Sequence, residues 1–167
     1  MTSIVIAKFG DDISTDTIYP GRFMATVLPT ETPQYAFMDE TELNAKLNNK
    51  RVPPNSVIVA NNNFGCGSSR EQAASTLKGW ELIIVARNFA RIFLQNSINL
   101  GLRTIICPTI DANENDELEI SETEIINKTS GKKFAIEPLP LARQAIIDAG
   151  GLIAYTKKKL LEKSGKN

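Results

Sequence analysis

The sequence predicts an α/β fold in which parallel strands, joined by crossover helices, form the core and antiparallel strands follow in the C-terminal part. Short, continuously apolar runs recur at residues 56–60, 82–86 and 104–107, with helical patterns between them. Such runs are typical of parallel strands that are buried on both faces. After Pro108, apolar residues alternate with polar ones, as in half-exposed antiparallel strands. A length of 167 residues corresponds to about one domain, so we expect residues 1–167 to form a single unit.

The N-terminal half begins with a predicted strand over residues 3–7, followed by a polar loop over residues 11–17. Two short helices are predicted between residues 29 and 48. The apolar strand at 56–60 leads directly into a glycine-containing loop, and a helix is predicted from residue 70 to residue 78, where Gly79 ends it.

The C-terminal half continues the alternation of strands and helices. A second helix follows the strand at 82–86 and closes at residues 99–101. Three antiparallel strands are predicted after Pro108, and a turn rich in polar residues separates the second from the third. An amphipathic helix over residues 140–149 and a short helix over residues 152–161 complete the chain.

The charge balance disfavours several classes of partner. Lys and Arg together number 19, as do Asp and Glu, so the formal net charge is zero. Nucleic acids and membrane surfaces both select for a basic face, and neither is expected as the main partner. No apolar stretch approaches the roughly 18 residues of a membrane span, and a cytoplasmic location is expected.

The scarcity of cysteine and histidine restricts the chemistry further. The chain has two cysteines and no histidine. It therefore offers no Ser-His or Cys-His dyad, and Cys66 and Cys107 are too few and too far apart to hold a zinc ion or an iron–sulfur cluster. No metal site is expected on this chain. Cys66 is interpreted as a small filler residue, and its oxidation is a secondary hypothesis.

Residues 61–74, Asn-Asn-Asn-Phe-Gly-Cys-Gly-Ser-Ser-Arg-Glu-Gln-Ala-Ala, carry the clearest chemical signal. They connect an apolar strand to a helix, and a glycine stands on either side of Cys66. Glycine lets the backbone turn sharply and lets another molecule approach closely, while the amides at the start of a helix carry a partial positive charge. The stretch therefore predicts an anion-binding site.

Three interpretations of residues 65–71 compete. In the first, Ser68 and Glu71 form an S-x-x-E capping box, which leaves the glycines and Arg70 unexplained. In the second, the loop binds a nucleotide phosphate, but no Gly-Lys-Ser/Thr is present and Arg70 stands where G-x-G-x-x-G has its last glycine. In the third, Arg70 binds a substrate carboxylate and a serine hydroxyl transfers a proton. A serine base without histidine would need Arg70 and helix amides to stabilise its oxyanion.

A family resemblance favours the third interpretation. The block Phe-Gly-Cys-Gly-Ser-Ser-Arg-Glu-Gln-Ala at residues 64–73 is preceded by Gly-Asp-Asp at 10–12 and Thr-Asp-Thr-Ile at 15–18, and followed by Asn-Phe-Ala-Arg-Ile-Phe at 88–93. Together these blocks resemble the small subunits of the aconitase superfamily, in particular the 3-isopropylmalate dehydratase and homoaconitase type. The resemblance extends over most of the chain.

The resemblance implies a swivelling β/β/α domain that docks on a large subunit carrying a [4Fe-4S] cluster, with no cofactor on this chain. By the same resemblance, Ser68 is the base that removes a proton from the carbon beside a carboxylate. Ser69 and Arg70 bind a substrate carboxylate and stabilise the serine oxyanion. Asp16 matches the aspartate of the family's Thr-Asp block, which lies close to the serine, and is assigned to substrate binding.

The substrate-specificity loop, residues 22–25, departs from the pattern of some relatives. In archaeal-type relatives, the loop after Ile-Pro-Gly often reads Tyr-Leu-Arg, and its arginine meets the distal group of the substrate. Here the aligned residues are Phe23, Met24 and Ala25, with Arg22 on the other side of the aromatic residue. A buried charge partner is worth roughly 2 to 5 kcal/mol, so its loss favours an apolar distal group. Arg22 is the alternative partner for that group.

The implied function is that of a hydro-lyase subunit, inactive without the large subunit, that isomerises a hydroxy diacid or triacid by dehydration and rehydration. The expected substrate is 3-isopropylmalate, in leucine biosynthesis. The alternatives are citramalate, 2,3-dimethylmalate and homoaconitate, or a stand-alone carboxylate-binding regulatory module. RNA binding, as in some aconitase relatives, is disfavoured by the zero net charge.

Overall fold

A computed structural model describes residues 2–49 and 51–164. The strands are β1 (Thr2–Lys8), β2 (Val57–Ala60), β3 (Ile83–Ala86), β4 (Arg103–Ile106), β5 (Glu117–Ile120), β6 (Glu124–Asn127) and β7 (Lys133–Ala135). The helices are α1 (Thr15–Ile18), α2 (Thr41–Asn48), α3 (Glu71–Gly79), α4 (Arg91–Leu100), α5 (Leu141–Asp148) and α6 (Leu152–Ser164). Two short 3-10 helices span Gly21–Phe23 and Thr32–Tyr35.

The strands form one mixed sheet in the order β4-β3-β2-β1-β5-β6-β7. Strands β1 to β4 pair in parallel, and β5, β6 and β7 add antiparallel hairpins on the other side of β1. The crossover helices α3 and α4 connect the parallel strands, as the alternation of apolar strands and helical patterns predicts. The predicted α/β fold class is confirmed.

The sheet curls so that its two ends meet. The backbone N–H of Glu137, just after β7, donates to the carbonyl of Ile106 at the end of β4, at 2.8 Å. The curl encloses one apolar core between the two halves of the sheet, and the helices cover a second core on the outer face. Alternate residues of β2 belong to the two cores, with Val57 and Val59 inside and Ile58 and Ala60 under the helices.

The N-terminal third differs from the prediction in one place and agrees with it in another. Residues 11–17, predicted as a loop, include the start of α1, so that prediction is wrong from Thr15 onward. The two short helices predicted between residues 29 and 48 are a 3-10 helix and α2. Local hydrogen bonding decides the case of α1, because a four-residue helix shows no apolar periodicity, whereas α2 buries Leu43 and Leu47 at helical spacing.

Candidate active site

Two loops meet at the C-terminal edge of the parallel strands. Residues 61–70 connect β2 to α3, and residues 87–90 connect β3 to α4. Phe64 links the loops, because its N–H donates to the carbonyl of Asn88 at 3.2 Å and its carbonyl accepts from Ala90 at 2.9 Å. Ligands of parallel α/β sheets bind at this edge.

Two glycines give the first of these loops its path. Gly65 and Gly67 have φ angles of 82° and 99°, a region that strains other residues. A Cβ atom on Gly65 would lie 2.1 Å from Cγ of Phe93, so the loop can cross α4 only without a side chain there. A Cβ atom on Gly67 would lie 3.3 Å from Oγ1 of Thr15. The glycines therefore bring the serine pair close to α1.

The capping-box interpretation of Ser68 and Glu71 is wrong. Helix α3 begins at Glu71, its N-cap residue is Arg70, and no side chain caps it. A capping box needs its glutamate at the third helical position, whereas Glu71 occupies the first. The hydroxyl of Ser68 is directed instead to Thr15, across a sequence separation of 53 residues.

Helix α1 is the element that the sequence prediction missed, and it supplies the partners of both key side chains. The Ser14 hydroxyl caps it by accepting the N–H of Thr17 at 3.0 Å. The N–H of Thr15 donates to the carbonyl of Cys66 at 2.7 Å, which ties the helix to the glycine loop. Ser14 followed by Thr15 and Asp16 was a usable capping signal, because serine is a preferred N-cap residue.

Ser68 contacts Thr15 through two atoms. The backbone N–H of Ser68 donates to Oγ1 of Thr15 at 3.1 Å, and the two hydroxyl oxygens lie 3.2 Å apart. Thr15 is buried, at 2% exposure, whereas Ser68 is an exposed residue. A buried residue thus holds the Ser68 hydroxyl, while Ser68 itself remains exposed at the surface.

Arg70 contacts Asp16, the residue after Thr15. Its Nη1 donates to Oδ1 of Asp16 and to the carbonyl of Tyr19, the latter at 3.2 Å. The same carboxylate oxygen accepts the N–H of Gly21 at 2.8 Å. The hydrogen bonds from Arg70 and Gly21 hold the pKa of Asp16 below its usual value, so Asp16 is a carboxylate at neutral pH. The structure therefore brings Ser68, Arg70 and Asp16 together around α1.

Ser69 lies beside this cluster on the exposed side of the loop. Its backbone carbonyl accepts a hydrogen bond from Nδ2 of Asn96, on α4, at 3.2 Å. Asn96 lies three residues after the family-like block at 88–93. It fixes the loop.

The predicted specificity loop lies at the outer edge of the cluster. The Arg22 guanidinium makes a two-pronged ion pair with Asp39, with Nη1 and Oδ2 3.0 Å apart. It also lies over the ring of Phe23, 4.8 Å from the ring centroid, and that ring stacks on Tyr35. Met24 and Ala25 are exposed. The alternative in which Arg22 takes the place of the missing loop arginine would require it to leave Asp39.

The two cysteines differ in accessibility. Cys107 is fully buried, and burial raises the pKa of its thiol to about 11. Cys66 is partly exposed in the glycine loop. Among the described residues, no three His, Cys, Asp or Glu side chains are grouped so as to hold a metal ion. None of the helices within residues 2–49 and 51–164 is long and apolar enough to cross a membrane.

The cluster combines the groups that proton transfer next to a carboxylate requires. The guanidinium fork of Arg70 suits a carboxylate, and only Nη1 takes part in its bonds to Asp16 and Tyr19. Consecutive residues of α1 hold Ser68 and Arg70, and a cation near a hydroxyl stabilises negative charge on that hydroxyl. Ser68 and Ser69 are exposed, so the surface is open and would need a second body to exclude water.

Comparison with known proteins agrees with this geometry. The aconitase C-terminal domain family matches residues 8–109, which include the glycine loop and α1. The 3-isopropylmalate dehydratase small subunit of Methanosarcina acetivorans is 42% identical over 160 residues, covering 93% of this chain and 96% of that protein. The isopropylmalate/citramalate isomerase small subunit of Methanocaldococcus jannaschii is 42% identical over 170 residues, covering 97% of this chain and 99% of that protein.

A solved structure extends the similarity to three dimensions. The crystal structure of a 3-isopropylmalate dehydratase from Methanocaldococcus jannaschii superposes with a TM-score of 0.88 at 38% identity, and the match covers 100% of both chains. The predicted resemblance to the aconitase superfamily is confirmed. This chain belongs to the aconitase C-terminal domain family.

Proposed function

We propose that this chain is the small subunit of a hydro-lyase of the 3-isopropylmalate dehydratase type, acting in leucine biosynthesis in the cytoplasm. The observation that carries the proposal is that two consecutive residues of α1, Thr15 and Asp16, contact the hydroxyl of the exposed Ser68 and the guanidinium of the partly buried Arg70. The relatives named as dehydratase or isomerase small subunits match over nearly their full length. Residues 1–167 act as one swivelling domain.

Each polar group has one task in this proposal. Ser68 removes the proton from the carbon next to a substrate carboxylate. Arg70 binds that carboxylate through Nε and Nη2, because Asp16 and Tyr19 occupy Nη1. Ser69 adds a hydroxyl to the carboxylate site, and Asp16 orients Arg70.

The second half of the site belongs to a large subunit. Its expected [4Fe-4S] cluster would supply a Lewis acid for the hydroxyl group that leaves and returns. Apolar side chains next to the site support docking of such a partner, because Val27 and Leu28 are 64% and 54% exposed just beyond the specificity loop. Docking would also exclude water from Ser68.

The preferred substrate carries an apolar distal group. Ala25 has no charge to offer, and Arg22 is paired with Asp39, so a distal carboxylate would lack a counter-ion at this edge. We therefore place 3-isopropylmalate first, citramalate and 2,3-dimethylmalate next, and homoaconitate last. Preferential turnover of homoaconitate, the substrate with a distal carboxylate, would contradict this order.

Reconstitution with the large subunit from the same genome tests the proposal. The anaerobically assembled pair should dehydrate 3-isopropylmalate, and Ser68→Ala should lower kcat at least about 1,000-fold without preventing assembly, because it removes the base. Ser130→Ala, the same chemical change in the turn between β6 and β7, is the matched control and should retain activity. Turnover by Ser68→Ala would refute the assignment of the base.

Failure to form a complex would support the alternative of a stand-alone carboxylate-binding module. In that case, the isolated chain should bind a hydroxy diacid by calorimetry, and Arg70→Ala should abolish the binding. Copurification with a large subunit and joint turnover would exclude this alternative.

A further inference from the structure

The hydroxyl of Thr15 has a defined direction. The N–H of Ser68 donates to Oγ1 of Thr15 at 3.1 Å, so one lone pair of that oxygen is occupied. The oxygen of the Ser68 side chain lies 3.2 Å away. The Thr15 hydroxyl proton is therefore free to point at Ser68 Oγ. In this arrangement, Thr15 accepts from the Ser68 N–H and donates to the Ser68 hydroxyl oxygen.

Loss of the Ser68 proton leaves only one possible donor between the two hydroxyls. A neutral Ser68 can either donate to Thr15 or accept from it. A deprotonated Ser68 has no hydrogen, so Thr15 must donate. A hydrogen bond to a charged acceptor is about twice as strong as a neutral one, so the contact gains strength when negative charge appears on Ser68.

The surroundings hold Thr15 in place for this role. The residue is 2% exposed, and its N–H is bonded to the carbonyl of Cys66 at 2.7 Å. Its branched side chain has few χ1 rotamers available. Gly67 leaves room for Oγ1, since a Cβ atom there would lie only 3.3 Å away. Water cannot easily replace a donor that is buried beneath the serine.

We propose that Thr15 is a positioning residue that donates its O–H to Ser68 Oγ and so stabilises the serine oxyanion. This inference rests on the proposed function, in which Ser68 is the base. The oxyanion takes a proton from the substrate carbon and becomes a hydroxyl, the electrons of the broken C–H bond form a carbon–carbon double bond, and hydroxide leaves the neighbouring carbon. Thr15 keeps its own proton throughout.

The charged groups around the pair come from three segments of the chain. Asp16 follows Thr15 on α1, and Arg70 precedes α3; Arg22 acts electrostatically on Asp16 from the specificity loop. Hydrogen bonds from Arg70 and Gly21 hold the pKa of Asp16 below its usual value, and the hydrogen bond to Asp39 raises the pKa of Arg22, so Asp16 and Arg22 both keep their charge near neutral pH. A change in the pH profile on altering Thr15, measured in a Cys66→Ala background that removes the partly exposed thiol of the same loop, would therefore report on Ser68.

The test compares Thr15→Val with Thr15→Ser in the reconstituted pair. Valine keeps the shape but removes both the donor to Ser68 Oγ and the acceptor of the Ser68 N–H, so kcat should fall about 10- to 100-fold with KM within about 2-fold. The alkaline rise of kcat should move up by about 1 to 2 pH units. The primary isotope effect on substrate deuterated at the reacting carbon should increase. Serine restores the donor and should recover most of kcat and the wild-type pH profile.

A structural role for Thr15 would give a different pattern. Ser14→Ala removes the cap of α1 and should lower Tm without moving the pH profile. The proposal is overturned if Thr15→Val leaves the profile and the isotope effect unchanged, if Thr15→Ser is as impaired as Thr15→Val, or if Ser14→Ala produces the same shift. An active Ser68→Ala pair would instead refute the assignment of Ser68 as the base, on which this inference rests.

Discussion

Asp16 holds Arg70 by its Nη1 atom, and the same carboxylate oxygen of Asp16 accepts the N–H of Gly21. The two side chains lie 54 residues apart in the sequence. Only Nη1 of the guanidinium takes part in this contact and in the bond to the carbonyl of Tyr19, so Nε and Nη2 are not used by either. Asp16 therefore fixes the orientation of the Arg70 guanidinium.

Asp16→Asn should impair binding more than stability. The asparagine oxygen can still accept a hydrogen bond, but the charge that orients Arg70 is lost, so kcat/KM should fall about 10-fold. The Asp16 side chain is 65% exposed, and exposed ion pairs contribute less than about 1 kcal/mol, so Tm should change little. Steady-state kinetics of the reconstituted pair and thermal unfolding of the isolated chain measure the two effects.

Glu119→Gln is the matched control for that experiment. Glu119 pairs with Lys128 at 3.1 Å on the antiparallel hairpin, and its side chain is 45% exposed. It should leave both kcat/KM and Tm near the wild-type values. Equal losses in the two variants would show that Asp16 has no special relation to the site.

Gly65→Ala should be the most destabilising of three glycine substitutions. At Gly65 the new Cβ atom meets Phe93 at 2.1 Å and the backbone has a positive φ. Overpacking and backbone strain each cost about 1 to 3 kcal/mol, so a combined loss of about 2 to 5 kcal/mol is expected in urea unfolding. Gly131→Ala, with a positive φ but open space, isolates the strain alone.

Gly10→Ala completes that series. Gly10 has neither a positive φ nor a neighbour within 4 Å of the new Cβ atom, so its substitution should be neutral or slightly stabilising. Equal effects at all three positions would contradict the assignment of Gly65 to the crossing over α4.

Ala25→Arg should shift specificity toward substrates with a distal carboxylate. Arg22 is committed to Asp39, so a new guanidinium at position 25 would supply the charge that the loop lacks. The ratio of kcat/KM for homoaconitate to that for 3-isopropylmalate should rise at least about 10-fold. Ala25→Met adds similar bulk without charge and should leave the ratio unchanged. A shift with methionine would mean that the size of the side chain at position 25, and not its charge, determines the substrate preference.

Native alkylation should distinguish the two cysteines. Iodoacetamide near pH 8 should modify Cys66, which is partly exposed, and spare Cys107, which is buried with a pKa of about 11. Mass spectrometry should therefore find one adduct on the folded chain and two in urea. An adduct on Cys107 in the folded chain would contradict its burial.

The order of strands and helices was predictable because hydrophobic periodicity is a local property. Two strands are buried on both faces, Val57–Ala60 and Ile83–Ala86. Their unbroken apolar runs predict this burial from the sequence alone. Helix α1 was not predictable in this way. It is four residues long and is stabilised by the Ser14 cap and by contact with the glycine loop. Neither interaction produces a periodic pattern of apolar residues in the sequence.

The sequence by itself determined the α/β class, the family and the chemical groups available: a serine pair, an arginine and no histidine. Only the tertiary structure decided which residues these groups contact. The local pattern Ser-x-x-Glu offered Ser68 a capping role, yet the curl of the loop at Gly65 and Gly67 directs its hydroxyl to Thr15. Partners that lie more than 50 residues apart are chosen by chain packing, because a local pattern cannot encode which distant donor a turn will meet.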